Sequence, residues 1–219
     1  MVGRKPVLGP LAFIPFILLA GRALVSLAAP ADRKAGIVTH LQGSATVLRG
    51  PSEVGSRPLK FRDDVFLDDR ITTGPVSAMR ILLGGKALLT LREESTAQIT
   101  ERPGVTTVNV GAGHTHINVD RARLKSGELI EVRTPNAVAQ VTGTILVTDV
   151  SRDDRCDDGS GTVVSTFTTL SGQVRVTPLD PVTGLEKGPA VSLAPNETIT
   201  IGGCETDGRP RPLRPLLPR

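Results

Sequence analysis

Tryptophan and tyrosine are absent from this 219-residue chain, which carries only five phenylalanines. Two of the five lie in the first 31 residues, leaving Phe61, Phe66 and Phe167 for everything after. An aromatic-centred core is therefore excluded. The interior must be built from Val, Leu, Ile and Ala, a composition that favours thin, regular β-packing. The same absence removes the rings on which a glycosidase would stack its sugar. Other signatures are missing as well. There is no G-x-S-x-G elbow, no Walker pattern, and no G-x-G-x-x-G set between a strand and a helix. Amphipathic helices of ordinary length are also lacking. Hydrolase, nucleotide-binding and dinucleotide-binding readings lose their usual support.

What is present begins with a leader. Residues 1–31 hold three basic residues (Arg4, Lys5, Arg22) and no acidic one, around an uncharged apolar run from Pro6 to Gly21. The segment ends Ala29-Pro30-Ala31. A basic start, an apolar middle and small residues at the end describe a secretory signal peptide cut near Ala31. The alternative is a retained anchor. The 16-residue run, interrupted by Pro10 and Pro15, is short for a span that needs about 20 apolar residues. No later stretch is long enough to cross a bilayer once the leader is removed. Residues 32–208 are expected to form one folded domain, and 209–219 an Arg/Pro-rich tail that is disordered and unable to pair in a sheet.

Charge is concentrated at the two ends. Residues 32–208 contain 19 basic and 22 acidic side chains, while Arg209, Arg211, Arg214 and Arg219 crowd the tail. The folded part thus offers no basic surface for nucleic acid. The two cysteines, Cys156 and Cys204, suit a single disulfide in an exported protein, with two unpaired thiols as the alternative. Closing that loop would stabilise the fold by about 4 kcal/mol.

Short alternating runs recur between turn residues. Ile37–Leu41, Ala45–Leu48, Met79–Leu83, Ala87–Leu91, Val105–Val110, Thr115–Val119, Leu129–Val132, Val138–Val150, Val163–Leu170, Val174–Val176 and Ile199–Ile201 all read as β. Gly84-Gly85 predicts a hairpin, and Gly111-Ala112-Gly113 a turn leading into a strand. Leu41–Val47 and Leu170–Val176 share one frame of strand end, glycine and new strand. The class is all-β: β-solenoid-like in first place, a twisted sandwich of many short strands in second.

The richest stretch is residues 131–150. Thr134-Pro135 opens it, and Gly143-Thr144 interrupts it. Proline lacks a backbone donor, which places Pro135 at a strand start or sheet edge. Gly143, inside a β-branched segment, marks a bulge, a tight bend or a close backbone approach.

Few side chains suggest chemistry. His114 and His116 would share one strand face, half of a metal site, but His40 is remote and no third ligand is identifiable. Asp153, Asp154, Asp157 and Asp158 lack EF-hand spacing and are partly neutralised by Arg152 and Arg155, so a solvated loop is expected. Asp63-Asp64 and Asp68-Asp69 read the same way beside turns. No metal, no cofactor and no catalytic residue is assigned.

Taken in order, several motifs resemble the FecR-domain family. They are Gly36–Val47; Asp68-Asp-Arg-Ile-Thr-Thr-Gly74; Met79–Leu91; Glu94–Ile99; Leu170–Val176; and Val191–Ile201. The most specific is Thr134-Pro-Asn-Ala-Val-Ala-Gln-Val-Thr-Gly-Thr144, which supplies Thr134, Pro135, Ala137, Val141, Gly143 and Thr144 as structural motif positions. The resemblance runs over about residues 36–202. It implies a periplasmic β domain of the kind that relays a signal from an outer-membrane receptor to a sigma factor. It carries no catalytic residues. This chain has no cytoplasmic segment before its apolar run, so fold and location carry over better than sigma-factor control.

The expected function is an exported, non-enzymatic binding or signalling module, periplasmic or secreted, that contacts another cell-envelope protein through exposed strand edges. The alternative is a protein that binds envelope polysaccharide or an anionic surface through its basic tail and loops.

Overall fold

The computed structural model describes residues 33–49, 55–153, 162–203 and 211–212. The leader, Asp154, Asp157, Asp158, both cysteines and most of the tail lie outside them. Among the described residues no helix is long and apolar enough to cross a membrane.

The described residues form 17 strands and a single turn of 3-10 helix. In chain order the strands are β1 Lys34–Gln42, β2 Ala45–Leu48, β3 Arg57–Pro58, β4 Asp64–Phe66, β5 Arg70–Thr73, β6 Ala78–Leu83, β7 Ala87–Leu91, β8 Thr96–Arg102 and β9 Val105–Val119. After the 3-10 turn Arg121–Arg123 come β10 Leu129–Thr134, β11 Ala137–Val141, β12 Ile145–Asp153, β13 Thr162–Ser171, β14 Val174–Pro178, β15 Val191–Leu193, β16 Glu197–Ile201 and β17 Arg211–Pro212. The all-β class expected from alternation is the class observed.

Pairing sorts the strands into two sheets. One runs β4-β1-β6-β7-β9-β12-β13-β16-β17. The other runs β3-β2-β5-β8-β9-β10-β11-β14-β15. Strand β9 belongs to both: its first half pairs with β8 and β10, its second with β7 and β12. Every pairing is antiparallel except β9 with β10. Stacked solenoid rungs would pair in parallel, so the strand directions favour the twisted-sandwich form of the expected class.

Period-two alternation explains the packing. Met79, Ile81 and Leu83 of β6 are buried while Arg80 and Leu82 point out, and Ala87, Leu89 and Leu91 of β7 repeat the pattern. Ile71, Ile99, Val108, Ile130, Val132, Ala139 and Val176 do the same from the second sheet. The inner faces of both sheets join in one apolar cluster. Phe167 is the only phenylalanine in it, as the aliphatic composition required.

Gly111-Ala112-Gly113 is not the turn expected from the sequence. The strand continues through it with a register slip opposite Thr96-Ala97 and a positive φ at Gly113, so that Val105–Val110 and Thr115–Val119 are one strand that changes sheets there. Conversely, Val138–Val150 is two strands, split at Thr142-Gly143-Thr144. The tail differs from expectation too. Arg211 and Pro212 pair with Thr198 and Glu197, so a piece of it lies along the edge of β16.

Candidate contact surfaces

Thr134, Pro135 and Ala137 build the hairpin joining β10 to β11. Pro135 sits in the two-residue turn itself, not at a strand start or sheet edge, because Thr134 and Ala137 already close the ladder. The Thr134 hydroxyl accepts from the Ala137 amide at 3.1 Å and lies 3.2 Å from the Asn136 carboxamide oxygen. The missing proline donor is therefore of no consequence.

Asn136 is the residue that sequence reasoning passed over. It is 5% exposed, and its Nδ2 donates to the Val163 carbonyl at 2.8 Å and the Ile201 carbonyl at 2.9 Å. Its own carbonyl accepts from the Leu179 amide at 2.8 Å. One side chain thus ties a hairpin of the second sheet to β13 and β16 of the first. The Thr-Pro-Asn turn was the available signal, since Asn in such turns caps nearby backbone.

Gly143 and Thr144 form the next corner. Gly143 has φ +90°, and a Cβ placed there would stand 2.5 Å from the Cβ of Arg121. Both facts call for glycine. The Thr144 carbonyl accepts from the Val119 amide at 3.0 Å, and its methyl packs against Gly172. Ala137 and Val141 are fully buried. Five of the six motif positions thus lie in the interior or at a corner, and Pro135 alone is exposed.

The histidines lie on the outer face of the first sheet. His114 Nδ1 is 3.2 Å from Asp149 Oδ2. Burial pushes the His116 pKa down, with His114, Arg80 and Arg92 adding to the effect. His40 stands in the same cross-strand row, after Arg80 and Thr90, three strands from His116. At about 4.8 Å per strand the gap is about 14 Å. Among the described residues no three His, Cys, Asp or Glu side chains converge.

Asp69 departs from the solvated reading. It is fully buried, accepting Arg49 Nε at 3.0 Å, Arg49 Nη2 at 3.3 Å and the Phe66 amide at 2.9 Å. The guanidinium also lies 4.1 Å from the centroid of the Phe66 ring. Two-pronged pairing plus a backbone donor is what a buried carboxylate needs.

Four strands pair on one side alone among the described residues: β3, β4, β15 and β17. Of these, β15 carries a β-branched and a leucine side chain, Val191 and Leu193, and follows a loop braced by Asp180. That loop holds Val182 and Leu185 out in solvent at 91% and 69% exposure.

Residues 69–175 match the family described as FecR protein, a range running from the start of β5 into β14. The opening motif at Gly36–Val47 and the last one, Val191–Ile201, fall outside that match. Two crystal structures, at 1.65 and 2.50 Å, of a candidate anti-sigma factor from Parabacteroides distasonis share the fold, with TM-scores of 0.50 and 0.51 at 18% identity. Each alignment covers 66% of this chain and 59% of the other, so this chain spans about three-fifths of its relative's length. No curated protein matches.

Proposed function

We propose, from the match of residues 69–175 to the FecR family, that this chain is an exported, non-enzymatic regulatory module that contacts a protein of the cell envelope. The observation that supports this reading best is β15, a strand at the end of its sheet that pairs with β14 and with no other described strand. Such an edge presents backbone donors and acceptors to an incoming strand, and alternate side chains set specificity. Regulation fits the relative from Parabacteroides distasonis, itself described as a candidate anti-sigma factor.

The test is site-specific photocrosslinking in cells. A crosslinker at Val191 on the β15 edge should label one envelope protein, and one at Arg80, in the middle of the opposite sheet's face, should not. Labelling from Arg80 alone would refute strand addition, and labelling from neither position would refute the contact. Fractionation that finds the chain in the cytosol with its leader intact would refute export.

A further inference from the structure

The corner that Gly143 makes opens into a groove of about 350 Å³ lined by Arg121, Gln140, Gln173, Arg175 and Ser192. No Asp or Glu lines it. Gln140, Arg175 and Ser192 stand side by side on β11, β14 and β15, one row across the outer face of the sheet. Arg121 arrives from the 3-10 turn, its stem laid over Gly143 where any larger residue would collide with it. Neither guanidinium has a hydrogen-bond or ion-pair partner within the described residues, whereas Arg49, Arg102 and Arg123 each hold a carboxylate. The nearest acid in the row is Glu131, opposite Gln140 on β10, and it is engaged by Arg102 at 3.2 Å and Thr107 at 3.4 Å.

We propose that this groove binds a small, doubly charged oxyanion, a dicarboxylate or a phosphorylated small molecule. Two arginines with no compensating acid leave a concentrated positive potential, and the guanidinium fork matches carboxylate and phosphate oxygens. Gln140, Gln173 and Ser192 supply neutral donors beside the two charges. The volume is that of a small-molecule site, at the lower end of the usual range. On this reading the motif glycine at position 143 does more than turn the chain, because its bare Cα lets Arg121 reach the groove.

The experiment titrates the purified full chain at low ionic strength with succinate and, separately, with pyrophosphate. The side-chain amide signals of Gln140 and Gln173 are followed by NMR. At least one probe should saturate. Saturation by pyrophosphate alone identifies a phosphate ligand, by succinate alone a dicarboxylate, and by both a site selected by charge. Arg121→Gln and Arg175→Gln should each weaken binding about tenfold, the scale of one lost charge-assisted hydrogen bond. Gly143→Ala should weaken it by displacing Arg121, and Arg80→Gln on the other sheet should leave it unchanged. Should Gly143→Ala fail to fold, the two arginine variants carry the test alone, because their side chains reach solvent. Failure of both probes to saturate, or equal weakening by Arg80→Gln, would overturn the proposal.

Discussion

The sandwich divides along the chain into β1–β9 and β10–β17, and these two halves follow one alternation but finish it differently. In the first half, the inward residues of β6 and β7 are Met79, Ile81, Leu83, Ala87, Leu89 and Leu91, without a polar atom capable of strong hydrogen bonding. The corners beside them close into a bonded seam. Ser77 Oγ accepts from the Ser44 amide at 2.9 Å, and the Ser44 carbonyl accepts from the Gly74 amide at 2.9 Å. Thr73 Oγ1 accepts from the Ser95 amide at 3.0 Å, and Ser95 Oγ accepts from the His114 amide at 2.9 Å. In the second half, the inward residues of β12 and β13 alternate Leu146, Thr148, Val150 with Ser165, Phe167, Thr169. Among the described residues the hydroxyls of Thr144, Thr148, Ser165 and Thr169 are buried without a partner, against one such atom, His116 Nε2, in the first half. Buried hydroxyls without partners subtract from stability. The half that holds the open arginine groove is therefore the less stabilised one, and local opening should begin there.

The closed seam offers the hardest test of that contrast. Gly113 has φ +87°, and a Cβ there would meet Ser95 Cα at 2.5 Å and the Glu94 carbonyl at 2.8 Å. Both neighbours are backbone and have no room to move. Left-handed backbone with a side chain costs about 1–2 kcal/mol and overpacking a further 1–3 kcal/mol, so Gly113→Ala should lose about 4 kcal/mol in urea unfolding. A loss below about 1 kcal/mol would mean that the seam is looser than its hydrogen bonds imply.

The open half should respond in the other direction. Thr169→Val removes a buried, unpartnered hydroxyl and keeps the shape of the side chain, which should raise stability by about 1 kcal/mol; Thr148→Val should behave alike. Destabilisation by either variant, read from the urea midpoint, would show that these hydroxyls are satisfied in solution and would erase the difference between the halves.

These residues also mark how far the sequence could be read. Alternation identified most strands, because a half-buried sheet repeats every two residues, and the glycine pair at 84–85 does join β6 to β7. Gly143 within a β-branched run suggested a bend or a close backbone approach, and it stands at positive φ against Arg121. Period two has no information about which strands become neighbours, so the parallel pairing of β9 with β10 had no local signal. For the same reason Asn136 could not be assigned its partners, which lie 27 and 65 residues away in sequence. Asp69 looked like a turn carboxylate because its partner, Arg49, lies 20 residues upstream. The groove was hidden by the same long-range geometry: Arg121 and Arg175 meet Gly143 only through the fold.

The smallest expected effect concerns the ion pair between Lys86, just before β7, and Glu128, just before β10. The hydrogen bond from Lys86 holds the Glu128 carboxyl below the usual range, helped by the Lys125 amide at 2.9 Å. A carboxylate whose pKa is depressed in the folded state adds stability that is fully present above its unfolded pKa. That stability fades as pH falls through the lower folded value. Wild type should therefore lose stability on acidification below the ordinary glutamate range, and Glu128→Gln should lose less across the same interval. Because Lys86 and Glu128 link the closed half to the first strand beyond β9, the slope should appear in hydrogen exchange at β10 as well as in global unfolding. Identical pH profiles for the two proteins would remove this pair from the account of how the halves are joined.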